Sequence, residues 1–413
     1  MIIIIGGGPA GVFAAISARL SRPDVPVVIL EKFNDLLRKV VVSGGGRCNV
    51  TNNCSDPREL AKFYPRGGRE LISGFHHFGP SEVVQWFSDH NVPIKAEPDG
   101  RMFPESDSSS SIVGALLEAT QRCGVEVRKR CGVVGVQFKP GQKKFILELN
   151  TGESLECDQV LIATGGQTSG DGLGGLDLAT ALGHGIISPV PSLFTFKIQD
   201  SLLEDLAGVA AQKVSIKALA PGLPSKGLVE TGPVLVTHWG LSGPAVLRLS
   251  AWGARAMAEA DYQFQVKIDW CPSLPRNELD GLLTSWADEN GRKQVSQNPE
   301  LGLPRRMWIS LLEKSGIDRE RKWAELGKKN RARLMDHLKA TEMTVTGKAL
   351  NKEEFVTCGG IKLEEVDFKT MESRITPGLF FAGEILDIDG ITGGFNFQSC
   401  WTTGFLAGKG MSK

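Results

Sequence analysis

The first residues that could take part in chemistry form a glycine-rich turn near the N-terminus. Gly6, Gly8 and Gly11 have the spacing G-x-G-x-x-G, and an acid, Glu31, stands 20 residues after the last glycine. In this pattern the first glycine allows a tight turn, the second lets the backbone approach a diphosphate, and the third lets a helix pack closely on a sheet. The acid accepts hydrogen bonds from ribose hydroxyls and would repel a 2′-phosphate. The spacing therefore predicts a dinucleotide site that disfavours NADP.

The elements that must position this turn can be recognised on both sides of it. The run Ile2 to Ile5 is apolar and β-branched, which is typical of a parallel strand buried on both faces. An amphipathic segment follows the turn, and a second apolar strand is expected from Val25 to Leu30. Together they predict a βαβ unit, in which the N-terminus of the helix presents N–H groups and partial positive charge to the diphosphate.

A second glycine-rich segment distinguishes FAD from NAD. Three consecutive glycines, 44–46, lie between Lys39 and Arg47, and such a loop suits a long ligand that extends across the edge of a sheet. Two further apolar strands end in small-residue turns, at 164–166 and 383–384, and a final helix is expected after the second turn. The positive end of that helix would stabilise negative charge on a reduced flavin. The pattern favours FAD.

Four sequence blocks extend this pattern along nearly the whole chain: SGGGRCNVTN at 43–52, THWGLSGP at 237–244, VTCGGI at 356–361 and FAGEILDIDGITGGFNFQ at 381–398. With these blocks in this order, the chain resembles a bacterial family of NAD(P)/FAD-dependent oxidoreductases in the two-dinucleotide-binding-domain superfamily. The family includes aminoacetone-oxidase-like and bile-acid-dehydro-reductase-like members. The resemblance implies non-covalent FAD in an α/β domain, with an inserted β-barrel and a helical region over the flavin.

The resemblance also implies which residues hold the cofactor. Along FAD, the implied contacts are Ala10 and Gly11 at the diphosphate, Glu31 and Lys32 at the adenosine, Val133 at the adenine, Lys39, Gly45 and Arg47 toward the flavin, Glu384 at the ribityl chain or the diphosphate, and Gly394, Phe395 and Asn396 at the pyrimidine ring. Neighbouring positions complete the expected site: Gly6, Gly8, Pro9, Ser43, Gly44, Cys48, Ala163, Thr164, Gly165 and Gly383.

Changes in pattern divide the chain into three expected parts. An FAD-binding Rossmann-like domain is predicted for residues 1–189 and 354–413. Short alternating stretches predict an inserted antiparallel β-barrel or cap at 190–275 and 341–353, and helical spacing predicts a small helical subdomain at 276–340. The predicted fold class is α/β with these insertions. Because no second G-x-G-x-x-G directly follows an apolar strand, a dedicated NAD(P)H domain is not expected, and NAD(P)H is expected only as a transient co-substrate that docks on the flavin.

Histidines supply the candidates for acid–base chemistry. His238 in THWG is the predicted catalytic residue, because an imidazole suits proton delivery alongside hydride transfer. The alternative is a core histidine bonded to the backbone. The adjacent His76 and His77 are expected on opposite faces of a strand, and His184 at the C-terminus of a helix as an imidazolium. We expect no metal site, because His, Cys and Asp do not occur with ligand spacing.

The sequence leaves several reactions open. We expect hydride transfer between flavin N5 and a small organic substrate, with NAD(P)H as reductant and an enone-type double bond as one example. The alternatives are an amine or amino-ketone oxidase that uses O₂, a thiol–disulfide reductase that uses Cys48 and Cys54, and a non-catalytic flavin module. The thiol alternative is disfavoured, because the two cysteines have C-x5-C spacing in poor helix material.

Charge and composition restrict the partners. Lys+Arg and Asp+Glu both number 47 in 413 residues, so no global field favours nucleic acid or an anionic membrane. Basic residues are dense at 319–339, but acids interleave with them, which favours a solvated helical face. The apolar N-terminus lacks a basic region before it, so it predicts a buried strand rather than a signal peptide. We expect a cytoplasmic protein with a small-molecule substrate and leave its oligomeric state open.

Overall fold

The structure is a computed structural model that describes residues 1–166, 174–297, 299, 301–349 and 356–412. The chain forms two compact units. One consists of Met1–Val190 with Lys352–Lys413, and the other of Pro191–Asn351. The boundary that the sequence predicts between residues 353 and 354 lies outside the described residues.

The first unit begins with alternating strands and helices. Its strands up to residue 192 are β1 (Ile2–Ile5), β2 (Val27–Glu31), β3 (Thr51–Asn52), β4 (Ile94–Ala96), β5 (Arg101–Pro104), β6 (Glu126–Lys129), β7 (Val133–Lys139), β8 (Lys144–Leu149), β9 (Ser154–Cys157), β10 (Gln159–Ile162) and β11 (Ile186–Ser192). Its helices in this part are α1 (Pro9–Ser21), α2 (Arg38–Gly46), α3 (Pro57–Ala61), α4 (Gly68–His77), α5 (Pro80–Asp89), α6 (Ser109–Arg122) and α7 (Gly175–Ala181).

The second unit contains an antiparallel sheet and a helical part. Its strands are β12 (Thr195–Lys197), β13 (Ala210–Leu219), β14 (Leu228–Thr237), β15 (Gly240–Ser242), β16 (Phe264–Asp269), β17 (Thr341–Val345) and β18 (Gly347–Ala349). Its helices are α8 (Pro244–Trp252), α9 (Ala254–Glu259), α10 (Arg276–Asn290), α11 (Arg305–Lys314) and α12 (Gly327–Ala340). The chain then returns to the first unit with β19 (Val356–Ile361), β20 (Val366–Asp367), β21 (Glu372–Ser373), β22 (Leu379–Phe381) and α13 (Phe395–Gly410).

The main sheet of the first unit explains why distant segments meet. Its strand order is β20-β21-β22-β10-β1-β2-β6, and β22, β10, β1, β2 and β6 run parallel to one another. All four isoleucines of β1 are buried, as expected for a strand covered on both faces. Because parallel strands end at the same edge of a sheet, the segments that follow β1, β2, β10 and β22 converge there. This edge is where open α/β sheets bind their ligands.

Two predicted elements differ from the structure. The second strand begins at Val27 rather than at Val25, because Pro26 has no N–H to donate to a sheet. His76 and His77 lie in the last turn of α4 rather than in a strand, and both are exposed. The expectation that they point to opposite faces of a strand is therefore wrong.

Helices α1 and α13 pack closely against each other beside this sheet. A Cβ on Gly404 would lie 2.6 Å from the carbonyl oxygen of Ala10, and one on Gly408 would lie 2.6 Å from that of Ala14. The absence of side chains at these two positions therefore permits the close approach. Trp401 anchors the same helix, because it is fully buried and its indole N–H donates to the Val50 carbonyl at 3.0 Å.

The sheet of the second unit has the order β17-β16-β13-β14-β15-β12-β18. Only Thr346 separates β17 from β18, so one stretch of chain pairs with β16 through its first part and with β12 through its second. The two strands at the ends of the sheet order, β17 and β18, are therefore adjacent in the sequence. The antiparallel sheet that the alternating pattern predicts is present, and α10, α11 and α12 form a helical part whose core includes Trp308 and Trp323.

Candidate cofactor site

The turn after β1 matches the predicted dinucleotide motif in its steric detail. Gly6 donates its backbone N–H to Leu30 at 2.9 Å, which joins the turn to β2. A Cβ on Gly11 would overlap the carbonyl oxygen of Gly6. Because no rotation of a side chain could relieve contact with a backbone atom, only glycine fits at residue 11.

Helix α1 presents its N-terminus at this turn. Gly8 precedes the helix, Pro9 occupies its first turn, and the first turn contains no acidic residue. Among the described residues, no side chain caps it. The first N–H groups of a helix have no partner within the helix, so they and the helix dipole favour an anion at Ala10 and Gly11.

The residues predicted at the adenosine come together at the end of β2. Glu31 is buried, and its carboxylate accepts the N–H of Gly7 at 2.7 Å and that of Phe33 at 2.9 Å. The Cys131 N–H donates to the Glu31 carbonyl at 2.8 Å, which places the start of β7 and Val133 beside this strand end. Lys32 lies against the intervening Gly132, whose Cβ would be 3.2 Å from that of Lys32.

The turns after β10 and β22 meet at a partly buried polar cluster. Lys39 Nζ lies 2.6 Å from one oxygen of Glu384, and the N–H of Thr357 donates to the other at 2.8 Å. Ala163 donates its N–H to the Ile5 carbonyl at 2.9 Å, and Gly383 donates to Thr403 Oγ1 at 2.9 Å. The chain from Ala163 through Thr164 to Gly165 therefore lies between the first turn and Glu384. We call Lys39, Glu384 and Thr357 the Glu384 cluster.

The second glycine-rich segment is a break in α2. The helix continues from Arg38 until Ser43 leaves helical geometry, and Gly44, Gly45 and Gly46 then have φ of 58°, 68° and 84°. These values lie in the left-handed region that favours glycine. No atom lies within 4 Å of where a Cβ on Gly45 or Gly46 would be. The three glycines thus form an open loop.

The side chains that follow this loop are engaged within the protein. Arg47 donates to Glu97 at 2.7 Å and to Asp107 at 2.9 Å, and it lies over the Phe103 ring at 4.0 Å. Its bonds to Glu97 and Asp107 raise the pKa of Arg47. Cys48 is fully buried, and burial raises the pKa of its thiol to about 12. A reactive cysteine needs the opposite shift, so the structure speaks against thiol chemistry at Cys48.

The third predicted segment leads into α13. Helix α13 begins at Phe395 after Gly394, with no acidic residue in its first turn and, in the described part of the chain, no side-chain cap. The Asn396 amide is engaged with the Gly390 backbone, donating to its carbonyl and accepting its N–H, both at 2.8 Å. The Phe395 ring stacks on Phe63 at 4.5 Å. The first N–H groups of a helix have no partner within the helix, so those of α13 could bind a ligand.

The sequence analysis missed two groups near this segment. Arg66 and Asp389 form a buried ion pair that holds the approach to α13. Burial lowers the pKa of Arg66, but the bonds and charge of Asp389 outweigh it and leave that pKa raised. The Tyr64 hydroxyl donates to the Phe395 carbonyl at 2.6 Å. Their only sequence signal is their neighbourhood, YPRG at 64–67 and DIDG at 387–390.

The predicted catalytic histidine lies in the second unit. His238 is exposed in the turn between β14 and β15, so the alternative of a buried structural histidine is wrong. Its neighbour Trp239 is 62% exposed, and Lys197 lies 5.5 Å from the centre of the Trp239 ring. The turn thus presents an imidazole, an indole face and a cation.

His184 is also placed differently from its prediction. It follows α7, as expected, but its ring is buried between Glu365 at 3.0 Å and Ser373 at 2.9 Å. Burial lowers the pKa of His184 more than the charge of Glu365 raises it. Burial therefore favours the neutral ring over the imidazolium that the helix end was expected to hold.

The described residues contain no group of three or more His, Cys, Asp or Glu side chains that could hold a metal ion. Within the same ranges, no helix is long and apolar enough to cross a membrane.

Comparison with known proteins identifies the family. The model described as "HI0933-like protein Rossmann domain" matches residues 1–410. The chain belongs to this HI0933-like family. It is 30% identical to a 3-dehydro-bile acid delta(4,6)-reductase from Clostridium scindens, over 98% of this chain and 97% of that protein. It is 29% identical to a ribosomal RNA dihydrouridine synthase from Escherichia coli, over 98% of this chain and 96% of that protein.

Solved structures show the same fold in flavoenzymes. A 3-ketosteroid delta1-dehydrogenase from Sterolibacterium denitrificans matches all of this chain and 99% of its own, with 12% identity and a TM-score of 0.52. A 3-ketosteroid-delta4-(5alpha)-dehydrogenase from Rhodococcus jostii matches all of this chain and 96% of its own, with 14% identity and a TM-score of 0.50. This HI0933-like protein is an FAD-dependent oxidoreductase with a Rossmann-like FAD-binding domain.

The residues of the first unit fit FAD. The uncapped N-terminus of α1 suits a diphosphate, and the buried Glu31 suits the ribose next to it. A third feature is the hydroxyl of Thr357, which is buried at the Glu384 cluster without a hydrogen-bond partner among the described residues. The helix N–H groups and the Thr357 hydroxyl thus lack partners where a long polar cofactor would supply them.

Proposed function

We propose that this protein reduces a carbon–carbon double bond conjugated to a carbonyl group, with NAD(P)H as the reductant. The observation that supports the proposal is the shared chemistry of two relatives matched over nearly their full length. One is named for reducing a 3-dehydro-bile acid at its delta(4,6) bonds, and the other for making dihydrouridine. In both, the double bond that disappears is conjugated to a carbonyl, which accepts negative charge as hydride adds.

The proposed cofactor residues divide the work of holding FAD. The first turn of α1, with Pro9, Ala10 and Gly11, would bind the diphosphate, because its N–H groups and dipole favour an anion. Glu31 would accept the adenosine ribose hydroxyls, with Val133 beside the adenine. When bound and reduced, FAD supplies a hydride from its flavin ring. The remaining tasks are to orient the substrate, exclude water and deliver a proton.

The turn between β14 and β15 is the proposed source of that proton. His238 is exposed there, and an imidazole can act as a general acid. The exposed face of Trp239 would stack on a planar conjugated substrate, and the cation of Lys197 lies close to that ring. We propose that His238 donates a proton to the carbon beside the carbonyl as hydride arrives at the next carbon.

A small molecule is the proposed substrate. Equal numbers of acidic and basic residues give no global attraction to nucleic acid. The ribosomal RNA dihydrouridine synthase among the relatives makes uridine in RNA the competing substrate. NAD(P)H would bind only transiently, because only the G-x-G-x-x-G at residues 6–11 directly follows an apolar strand, and the second match, at 170–175, does not.

Half-reactions under anaerobic conditions test the proposal. NADH or NADPH should bleach the flavin absorbance, and the reduced protein should then be mixed with a 3-oxo-Δ4 steroid acid or with a uridine-containing RNA. Return of flavin absorbance with loss of the conjugated double bond supports the proposal, and the substrate that responds decides between the two classes. Reoxidation by O₂ alone, with turnover of amines, would replace it with the oxidase alternative.

A variant pair tests the proton donor. His238→Gln should slow substrate reduction about 100-fold while flavin reduction by NAD(P)H keeps its rate, since only the substrate step needs the proton. The control variant, His77→Gln, changes an exposed histidine of the first unit and should leave both rates unchanged. An unchanged substrate rate in His238→Gln would remove His238 from the mechanism.

A further inference from the structure

Two buried side-chain polar atoms lack a hydrogen-bond partner in the part of the chain that the structure describes: Trp286 Nε1 and Thr357 Oγ1. Thr357 lies in β19 and is 1% exposed. A buried hydroxyl without a partner costs free energy, so native proteins rarely retain one. The Thr357 hydroxyl therefore calls for a partner that the described residues do not supply.

The hydroxyl lies at the Glu384 cluster. The backbone N–H of Thr357 occupies one oxygen of Glu384, and Lys39 occupies the other. A Cβ on Gly166 would overlap the Thr357 hydroxyl and would lie 3.1 Å from the carboxyl carbon of Glu384. The hydroxyl thus sits over the Gly166 backbone and beside the carboxylate. Gly166 directly continues the turn after β10, which lies at the carboxyl edge of the main sheet.

We propose that the Thr357 hydroxyl is a ligand of FAD and that it bonds a hydroxyl of the ribityl chain. The neighbouring carboxylate of Glu384 selects this part of the cofactor, because its remaining lone pairs can accept hydrogen bonds from the hydroxyls of a polyol, whereas an ionised phosphate offers no donor. A threonine hydroxyl both donates and accepts, which matches a ribityl hydroxyl. The diphosphate has its own site at the N-terminus of α1. The inference rests on the FAD binding of the proposed function.

Affinity and stability measured on the same variants separate this role from a structural one. Thr357→Val keeps the shape and removes the hydroxyl, so FAD should bind the apoprotein about tenfold more weakly by flavin fluorescence quenching. The unfolding temperature of the apoprotein should stay the same or rise, because an unsatisfied group is lost. Thr357→Ser retains the hydroxyl and should bind FAD within about threefold of the wild type. An unchanged affinity in Thr357→Val would overturn the proposal.

A matched control uses a buried threonine that already has a partner. Thr120 in α6 donates to the Leu116 carbonyl at 2.7 Å. Thr120→Val should lower the unfolding temperature of the apoprotein and leave the FAD affinity unchanged, which is the reverse of the pattern expected for Thr357. If Thr357→Val instead behaved like Thr120→Val, the hydroxyl would be structural and the proposal would fail.

ADP distinguishes the two halves of the cofactor. ADP lacks the ribityl chain and the flavin, so its affinity, measured by competition with FAD, should be the same for wild type and Thr357→Val. An equal loss for ADP and FAD would overturn the ribityl assignment. Failure of the wild-type apoprotein to bind FAD at all would instead contradict the proposed function, and it would do so before any variant is compared.

Discussion

Gly11 and Gly45 both belong to glycine-rich loops of the first unit, but their surroundings are opposite. A Cβ on Gly11 would overlap the backbone oxygen of Gly6, whereas no atom lies within 4 Å of a Cβ on Gly45. Gly45 instead has a φ of 68°, in the left-handed region. At residue 11 glycine is needed because the protein fills the space. At residue 45 it is needed for the shape of a loop whose space the protein leaves open.

The difference shows how one residue type serves packing in one loop and ligand access in the other. Both loops match the predicted cofactor segments, and the spacing of their glycines in the sequence does not distinguish them. Substitutions should therefore separate them by the property that changes. We expect a substitution at Gly11 to lower mainly the stability of the protein, and a substitution at Gly45 to lower mainly its affinity for the cofactor.

The largest effect is expected for Gly11→Ala. The added methyl group meets backbone atoms that no rotamer change can move, so the free energy of unfolding should fall by about 3 kcal/mol. Urea denaturation of the apoprotein measures the change, and flavin absorbance of the purified protein should be lost. A variant as stable as the wild type would show that the turn relaxes and would break the comparison.

Gly45→Ala should have a moderate effect of another kind. The left-handed backbone should cost the apoprotein about 1 kcal/mol. A methyl group in the open loop should weaken FAD binding about tenfold, since it enters the space proposed for the ligand. Fluorescence titration with FAD checks the affinity. Normal FAD binding in this variant would place the loop outside the cofactor site.

The buried His184 should make the stability of the protein depend on pH. Burial lowers the pKa of His184 below its usual 6.5, so the folded state keeps the ring neutral while the unfolded chain takes up a proton near pH 6.5. The stability that His184 contributes is full above pH 6.5 and is lost as the pH falls below it. As the pH is lowered from 8 to 5, the unfolding temperature should fall less steeply for His184→Gln than for the wild type.

The exposed His77 provides the control for this pH dependence. His77→Gln should follow the wild-type pH profile, since the residue lies on the surface in the last turn of α4. Equal slopes for His184→Gln and the wild type would show that the neutral, buried ring does not contribute to the pH dependence.

The smallest effect is expected at a glycine that serves neither purpose. Gly114 lies in α6, is exposed, and has no atom within 4 Å of an added Cβ. Gly114→Ala should raise the free energy of unfolding by about 0.5–1 kcal/mol, because alanine loses less backbone entropy in a helix. FAD affinity should not change. A loss of affinity here would mean that the effect at Gly45 is not specific to its loop.

Local patterns predicted the first turn well. The glycine spacing, the strand before it and Glu31 after the second strand are contiguous in the sequence, and their physical reasons are local. Side-chain partners were harder to predict. Asn396 bonds the backbone of Gly390, and Arg47 is paired with Glu97 and Asp107, and the sequence predicted neither set of partners. Pairing of this kind depends on which loops the fold brings together.

The sequence by itself determined the parallel sheet, the turn at residues 6–11, the presence of the final helix and the family. These follow from hydrophobic periodicity and from glycines at fixed spacing, which act over a few residues. Only the tertiary structure decided that Lys39 and Thr357 meet at Glu384 and that burial favours a neutral His184. Such groups are far apart in the chain, and their hydrogen bonds and burial exist only after parallel strands have aligned their ends.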